Sequence, residues 1–337
     1  MKTLNFTRPT KKEWEDKAAA DLNTDNLTSL VNWEPFKGVS VGAYYDASDQ
    51  VPTAFSFFFS QLRRRQWYLM QEIKVDKNVR AANQKALTAL NQGANGVIFI
   101  MDHEKNSLEG LFKDILPQHC LLAFKGEKAD ELGDFFANHF EKNSLLGLVI
   151  KGKKVRSGNF NFKSLGIKVK SKHDIVPELI NYLEELDNYR HIYGDDFLNY
   201  LNISVNLDQK FYQSIALLKA LRWLTYLYAQ SGDLPFTANQ LHLNVTIDIS
   251  GDYKKDLLIN TSSGVAAVTG GANSVSFTLD SKKGGDFDER IARNIGNLIR
   301  DESKLNLIKD TTNGSYFLDF LTNTISELSW NQYINQS

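Results

Sequence analysis

Apolar residues recur along this chain in two rhythms, and the two alternate. The stretch Thr261 to Asp280 carries both. A run of small residues, suited to a close-packed helix, ends at Gly270-Gly271. Ser274-Val275-Ser276-Phe277-Thr278-Leu279 then alternates with the period of a strand that buries one face. Helix, glycine turn and short strand make half of a β/α repeat. From Trp67 onward the succession repeats. Strands are predicted at Trp67–Ile73, Gly96–Met101, Cys120–Phe124, Leu145–Ile150, Leu165–Val169, Leu201–Val205, Leu241–Ile247 and Asn273–Leu279. Helices are predicted at Val79–Gln92, Ser107–Leu116, Ala129–Phe140, Asp174–Leu186, Phe211–Ala229, Lys254–Val268 and Asp288–Arg300, the last as the closing helix. Asp174 and Asp208 are expected as N-caps. Only the basic segment Lys151 to Gly158 interrupts the rhythm without a helix.

Eight β/α units predict a closed (β/α)8 TIM barrel. The alternative, a doubly wound open sheet, lacks support because no GxGxxG or GxxxxGK[ST] follows any strand. Ahead of the barrel, Trp14, Ala18, Leu22, Leu27, Leu30 and Val31 are spaced as one face of an amphipathic helical lead-in, and Val39 to Tyr45 reads as a strand. Residues 1–60 are therefore expected to form an N-terminal helical extension and residues 61–337 the barrel.

Composition narrows the function classes. The 337 residues are 42% hydrophobic and 23% charged with a net charge of −1, an ordinary globular balance that argues against a nucleic-acid partner. No apolar run approaches the roughly 20 residues that span a bilayer, and the N-terminus has no apolar signal core. Cys120 is the only cysteine, so no intrachain disulfide forms and a cytoplasmic location is expected. No HExxH or Cys/His spacing suggests a metal site.

In a barrel, chemistry belongs at the C-terminal ends of the strands. Gln71, Glu72, Asp102, His103, Asp248 and Asp280 fall there in the sequence. Asp102-His103 has the residue types of an acid/base pair but sits in a polar stretch that reads as a solvated loop. His242 lies inside a strand and reads as a satisfied core or lumen histidine. Asp195-Asp196 reads as the start of a helix. Phe55 to Phe59 followed by Arg63-Arg64-Arg65 reads as an apolar plug beside a basic loop, or, more sharply, as a basic rim for a phosphate-bearing ligand.

Several stretches together resemble the barrel of methylmalonyl-CoA mutase, most closely its small subunit. They are Gln66 to Gln71, Asn83 to Gly93, Phe211 to Leu224, Thr261 to Ser276, Arg290 to Glu302, and the ending Asp310 to Trp330, which is similar to the family's D-P-x-G-G-S-Y…E-x-L-T…A-W. The resemblance implies a barrel whose axis admits an acyl-CoA and whose mouth faces adenosylcobalamin. It also implies a further cobalamin-binding domain with a D-x-H-x-x-G motif. With Ser337 following the barrel directly, this chain is expected not to bind adenosylcobalamin alone.

The barrel also departs from the catalytic pattern. The tyrosine of G-P-Y-A-T falls at Phe58, counted ungapped from Trp67, and the histidine of S-G-Y-H-M falls at Ile167 within Ser164 to Lys168. An arginine expected before Thr261 is replaced by Ile259 and Asn260. No histidine lies between His139 and His173 to take over. Isoleucine offers neither donor nor acceptor where the family uses imidazole. The resemblance thus implies a non-catalytic small subunit that supports a large catalytic subunit in a heterodimer isomerising (R)-methylmalonyl-CoA and succinyl-CoA. The alternatives are an acyl-CoA-binding barrel with Arg63, Arg64 and Arg65 on the CoA phosphates, and an active fragment completed by a separate cobalamin-binding chain. The expected barrel-mouth residues are Gln71, His103, His242 and Asn260.

Overall fold

The computed structural model describes residues 9–49, 51–63, 66–102, 108–139, 147–153, 162–247, 252–278 and 285–336. The chain opens with two short helices, α1 (Lys11–Asp21) and α2 (Leu27–Val31), a hairpin of β1 (Trp33–Phe36) and β2 (Val39–Val41), and helix α3 (Thr53–Ser60). Thr10 starts α1 with a capping box: its hydroxyl accepts from the Glu13 amide, and the Glu13 carboxylate accepts from the Thr10 amide at 2.7 Å. Neither α1 nor α2 fully buries a residue: Leu22 and Leu30 are exposed, while Trp14, which stacks on Tyr44, and Ala18, Leu27 and Val31 are half-buried. The hairpin is different: Phe36, Val39 and Val41 join the main core. The segment from Phe55 to Phe59 is helical, which puts Phe55, Phe58 and Phe59 on one face and leaves Phe57 64% exposed on the other.

The barrel strands are β3 (Tyr68–Lys74), β4 (Gly96–Ile100), β5 (Leu121–Lys125), β6 (Gly147–Val149), β7 (Phe162–Lys163), β8 (Leu165–Lys170), β9 (Leu201–Leu207), β10 (His242–Ile247) and β11 (Ser274–Ser276). All neighbouring pairs are parallel, and the sheet runs β7-β6-β5-β4-β3-β11-β10-β9-β8. Its two outermost segments are separated only by Ser164. They are two halves of one bent strand: β7 pairs with β6, β8 pairs with β9, and the ring closes through the bend. Nine segments therefore make the eight staves of a (β/α)8 barrel, in sequence order and where the hydrophobic rhythm predicts them.

Two glycines make the bend possible. After β6 the chain turns back across β8, with the Gly166 amide donating to Gly152 O at 2.9 Å. A Cβ on Gly152 would stand 2.2 Å from Ser164 O, and one on Gly166 would stand 2.3 Å from Lys151 N. Backbone fills the space a side chain would need.

The helical layer consists of α4 (Val79–Asn91), α5 (Ala129–His139), α6 (Val176–Tyr193), α7 (Phe211–Ser231), α8 (Tyr253–Thr269), α9 (Asp286–Asn297) and α10 (Tyr316–Gln336). Four expectations need correction. Of the helix predicted over 107–116, the described residues form only a 3-10 turn at Glu109–Leu111. There the Asn83 side-chain amide donates to Leu111 O and Lys113 O, taking carbonyls a helix would use. Asp174 does not cap α6, since its carboxylate pairs with Lys37 at 2.7 Å and Ile175 stands at the N-cap. Lys210 rather than Asp208 precedes α7, and Asp208 accepts from the Lys210 amide. The predicted closing helix ends as α9 with a π-type turn at Leu298–Glu302, and α10 closes the molecule against α6 and α7.

The periodicity hides α10 because its buried face includes Thr322, Ser326 and Ser329. Each hydroxyl donates to the carbonyl four residues earlier at 2.7 Å, so polar residues sit buried without an external partner.

Candidate functional site

Strand alternation decides what the barrel encloses. Leu165, Ile167, Val169, Ile203, Val205, Leu243, Val245 and Val275 pack outward with the helices, so their neighbours turn to the axis. On β3 to β6 the inward residues are Met70, Ile98, Leu121, Ala123 and Leu148, with Tyr68, Ile100 and Ile150 packed against them. On β8 to β11 the inward residues are Lys168, Ser204, Asn206, His242, Asn244, Thr246, Ser274 and Ser276. One half of the lumen is oil and the other is a hydrogen-bonded polar lattice.

Both halves are closed to water through the middle of the barrel. Met70, Ile98, Leu121, Ala123, Leu148, Asn202, Asn244, Ser274 and Ser276 are all 2% exposed or less. In the polar half His242 Nε2 meets Ser274 Oγ at 2.9 Å, the Ser274 hydroxyl donates to Asn244 Oδ1 at 2.8 Å, and Thr246 Oγ1 meets Ser276 Oγ at 3.2 Å. Asn202 donates to the carbonyls of Val149, Lys163 and Leu165 at 2.9–3.1 Å, tying β6 and both halves of the bent strand to β9. Burial, followed by the Lys163 and Arg222 cations, pushes the His242 pKa down to about 3, so the ring is neutral near pH 7. Lys163, its amine donating to Asn199 O at 2.7 Å, is pushed down by burial to about 8.

Above the closed layers, at the C-terminal ends of the strands, is a cavity of about 500 Å³. Ser204, Asn206, Asn244 and Thr246 line it from the polar half, and Lys125, Lys151, Lys153 and Lys168 bring four ammonium groups. Asp102, Glu127 and Asp130 also line it. Lys125 pairs with Glu72 at 2.9 Å, and Asp102 accepts from the Glu127 amide. Such a mouth can hold a polar ligand by charge and hydrogen bonds. The His242 imidazole is the first residue of its strand, at the opposite end from the mouth.

The expected site residues are therefore dispersed. Gln71 faces outward, where its Oε1 accepts from Arg293 of α9 at 2.8 Å. Asn260 sits in the middle of α8, donating to Asp256 O and Thr278 O. Neither Gln71 nor Asn260 nor His242 lies at the mouth. His103 falls outside the described residues, as do Asp248, Asp280, Arg64 and Arg65. Arg63 is exposed near the N-terminal ends of the strands, its amide donating to Asn239 Oδ1 in the loop before β10. Phe58 packs against Trp223 and Tyr226 of α7. Ile167 packs in the outer layer, and Lys168 beside it reaches the cavity. Asp195 begins a 3-10 turn and accepts from Arg190 Nε at 2.8 Å, in keeping with a structural role.

The mouth residues that sequence reasoning passed over carry a signal in retrospect. Asn202-Ile203-Ser204-Val205-Asn206 and His242-Leu243-Asn244-Val245-Thr246 alternate polar with apolar. Alternation in strands covered by helices outside means a polar lumen.

Comparison with known proteins bears on the family. Residues 177–336 match the sequence profile of the methylmalonyl-CoA mutase family. The methylmalonyl-CoA mutase small subunit of Porphyromonas gingivalis is 23% identical over an alignment that includes 98% of this chain and 63% of that protein. A methylmalonyl-CoA mutase of Rhizobium meliloti is 29% identical over 40% of this chain and 20% of its own length. The chain thus spans less than two thirds of the length of either relative. A solved dihydropteroate synthase from Xanthomonas albilineans superposes with a TM-score of 0.37 at 13% identity, over 71% of this chain and 95% of that one, a likeness too slight to carry any inference. The profile over the C-terminal part of the chain and the small-subunit relative both point the same way: this chain is similar to the methylmalonyl-CoA mutase family.

Proposed function

We propose that this chain is the non-catalytic small subunit of an adenosylcobalamin-dependent methylmalonyl-CoA mutase, paired with a large subunit that interconverts (R)-methylmalonyl-CoA and succinyl-CoA. One observation carries the reading. The lumen that an acyl-CoA would have to thread is filled by Met70, Ile98, Leu121 and Leu148 on one side and by interlocked serines and asparagines on the other. Emptying it would mean removing several buried side chains, each worth about 2–5 kcal/mol to a core.

Most of the polar groups inside are hydrogen-bonded to one another or to strand carbonyls, and the one histidine described there is half-buried, neutral and at the wrong end for the mouth. In this reading the cofactor belongs to the large subunit. The name of the Porphyromonas gingivalis relative supports a subunit role. Helices α1 and α2, in which no residue is fully buried within their own chain, offer surface to a partner.

Co-expression with the large subunit and size-exclusion chromatography test the pairing. Co-elution as a stoichiometric complex is expected. A chain that remains monomeric beside its large subunit overturns the proposal, and micromolar binding of CoA esters by the isolated chain, weakened by Arg63→Ala, would favour a free-standing acyl-CoA binder.

A further inference from the structure

On the outside of the barrel, α4 and α9 border a groove of about 640 Å³, within the range of small-molecule sites. Gln84, Thr88 and Gln92 line it from α4, and Phe287, Arg290 and Arg293 from α9. Arg293 is the unusual member. Only 6% of its surface is exposed, yet its hydrogen bonds go to neutral amides: Nη1 to Gln71 Oε1 at 2.8 Å and Nη2 to Gln92 Oε1. Its Nε has no partner.

Among the described residues no carboxylate forms an ion pair with Arg293. Glu289, one turn earlier, attracts it through space without a contact and lies 3.8 Å from Lys85. Asp288 is buried with Oδ2 unpartnered but does not line the groove. A guanidinium carries five N–H donors, and two are used here. A buried cation with no carboxylate in contact is costly, and burial outweighs the distant Glu289 charge here. At the lip, Phe287 is 52% exposed beneath the Arg290 guanidinium, 5.3 Å from its ring, offering an apolar contact beside the charge.

We infer that the α4–α9 groove binds a small molecule bearing a carboxylate or a phosphate, with Arg293 supplying the counter-charge and Phe287 an apolar rest for the remainder. This inference does not depend on the subunit role, because the groove lies outside the barrel on its own helices.

Gln92→Glu provides the decisive variant, since it installs a carboxylate at Arg293 without removing the arginine. Thr88→Trp, at an exposed position, fills the groove by bulk. The purified full chain and both variants are titrated with inorganic phosphate and with succinate against sodium chloride at matched ionic strength, by calorimetry and thermal unfolding. The wild type is expected to be stabilised by phosphate or succinate beyond the chloride control, and which of them acts identifies the anion class. Gln92→Glu is expected to melt higher without anion. Both variants are expected to bind the anion at least about tenfold more weakly, the scale of one charge-assisted hydrogen bond. Equal responses to all three salts overturn the inference, as does anion binding by Gln92→Glu and Thr88→Trp at wild-type strength. Stabilisation by an acidic protein partner alone, with none by free anions, overturns it as well.

Discussion

The two halves of the barrel interior solve the same packing problem with opposite chemistry. From β3 to β6 the axis is filled by Met70, Ile98, Leu121 and Leu148, which interlock by shape. From β8 to β11 it is filled by Asn202, Ser204, Asn244, Ser274 and Ser276, which interlock by hydrogen bonds. The apolar half tolerates no void, because its stability rests on close contact. The polar half depends on its hydrogen bonds, because each partner lost deep inside is penalised, and only Asn202 Oδ1 among the polar side-chain atoms of these residues goes without one. Both results are a closed axis. The contrast shows that closure here is overdetermined, and that a polar lumen can be a filled one.

Substitutions that attack each half by its own logic separate the two. Ile98→Ala opens a cavity in the apolar half and is expected to cost about 3 kcal/mol in urea unfolding. A cost below about 1 kcal/mol would mean that the interior collapses around the void and is looser than described. Asn202→Ala leaves three strand carbonyls without their shared donor at the bend that closes the ring. About 2 kcal/mol is expected, measured the same way. Asn202→Asp should be no better, because a carboxylate cannot donate to carbonyls.

At neutral pH the smallest effect is the one that depends on pH, and it grows as the solution is acidified. The folded pKa of His242 lies near 3, below the 6.5 of the free side chain. Between these values the unfolded chain takes up a proton that the folded one refuses. The His242 contribution is intact above about pH 6.5 and is lost progressively as pH falls toward 3. Its limiting slope is about 1.4 kcal/mol per pH unit. Unfolding curves from pH 7 to pH 4 should therefore be shallower for His242→Asn than for the wild type. Parallel pH profiles would place the histidine in a wetter setting than the Ser274 contact implies.

The eight staves were legible because helix-covered parallel strands announce themselves as short apolar or alternating runs between amphipathic helices. The site was less legible because the phase of a strand matters more than its position. Gln71 and Glu72 both stand near the C-terminal end of β3, yet one turns out to Arg293 and the other in to Lys125. A one-residue choice exchanges lumen for helix layer, and β3 is buried on both faces, so its sequence does not mark which is which. The same applies to Ile167 and Lys168. Asn260 failed for another reason: it belongs to α8, and distance along the sequence to a strand end says little about distance to the axis. The serine- and threonine-rich face of α10 concealed a helix whose buried polar groups are satisfied from within.

The central claim is that this barrel supports catalysis without performing it. Its most direct test is mutase turnover by the assembled complex carrying Lys168→Gln and Asn206→Ala in this chain alone, two residues of the mouth that any chemistry here would need. The account predicts kcat and KM within about twofold of the unsubstituted complex. A fall in kcat of more than about tenfold, with the complex still intact by size-exclusion chromatography, would contradict it and place reacting groups in this subunit.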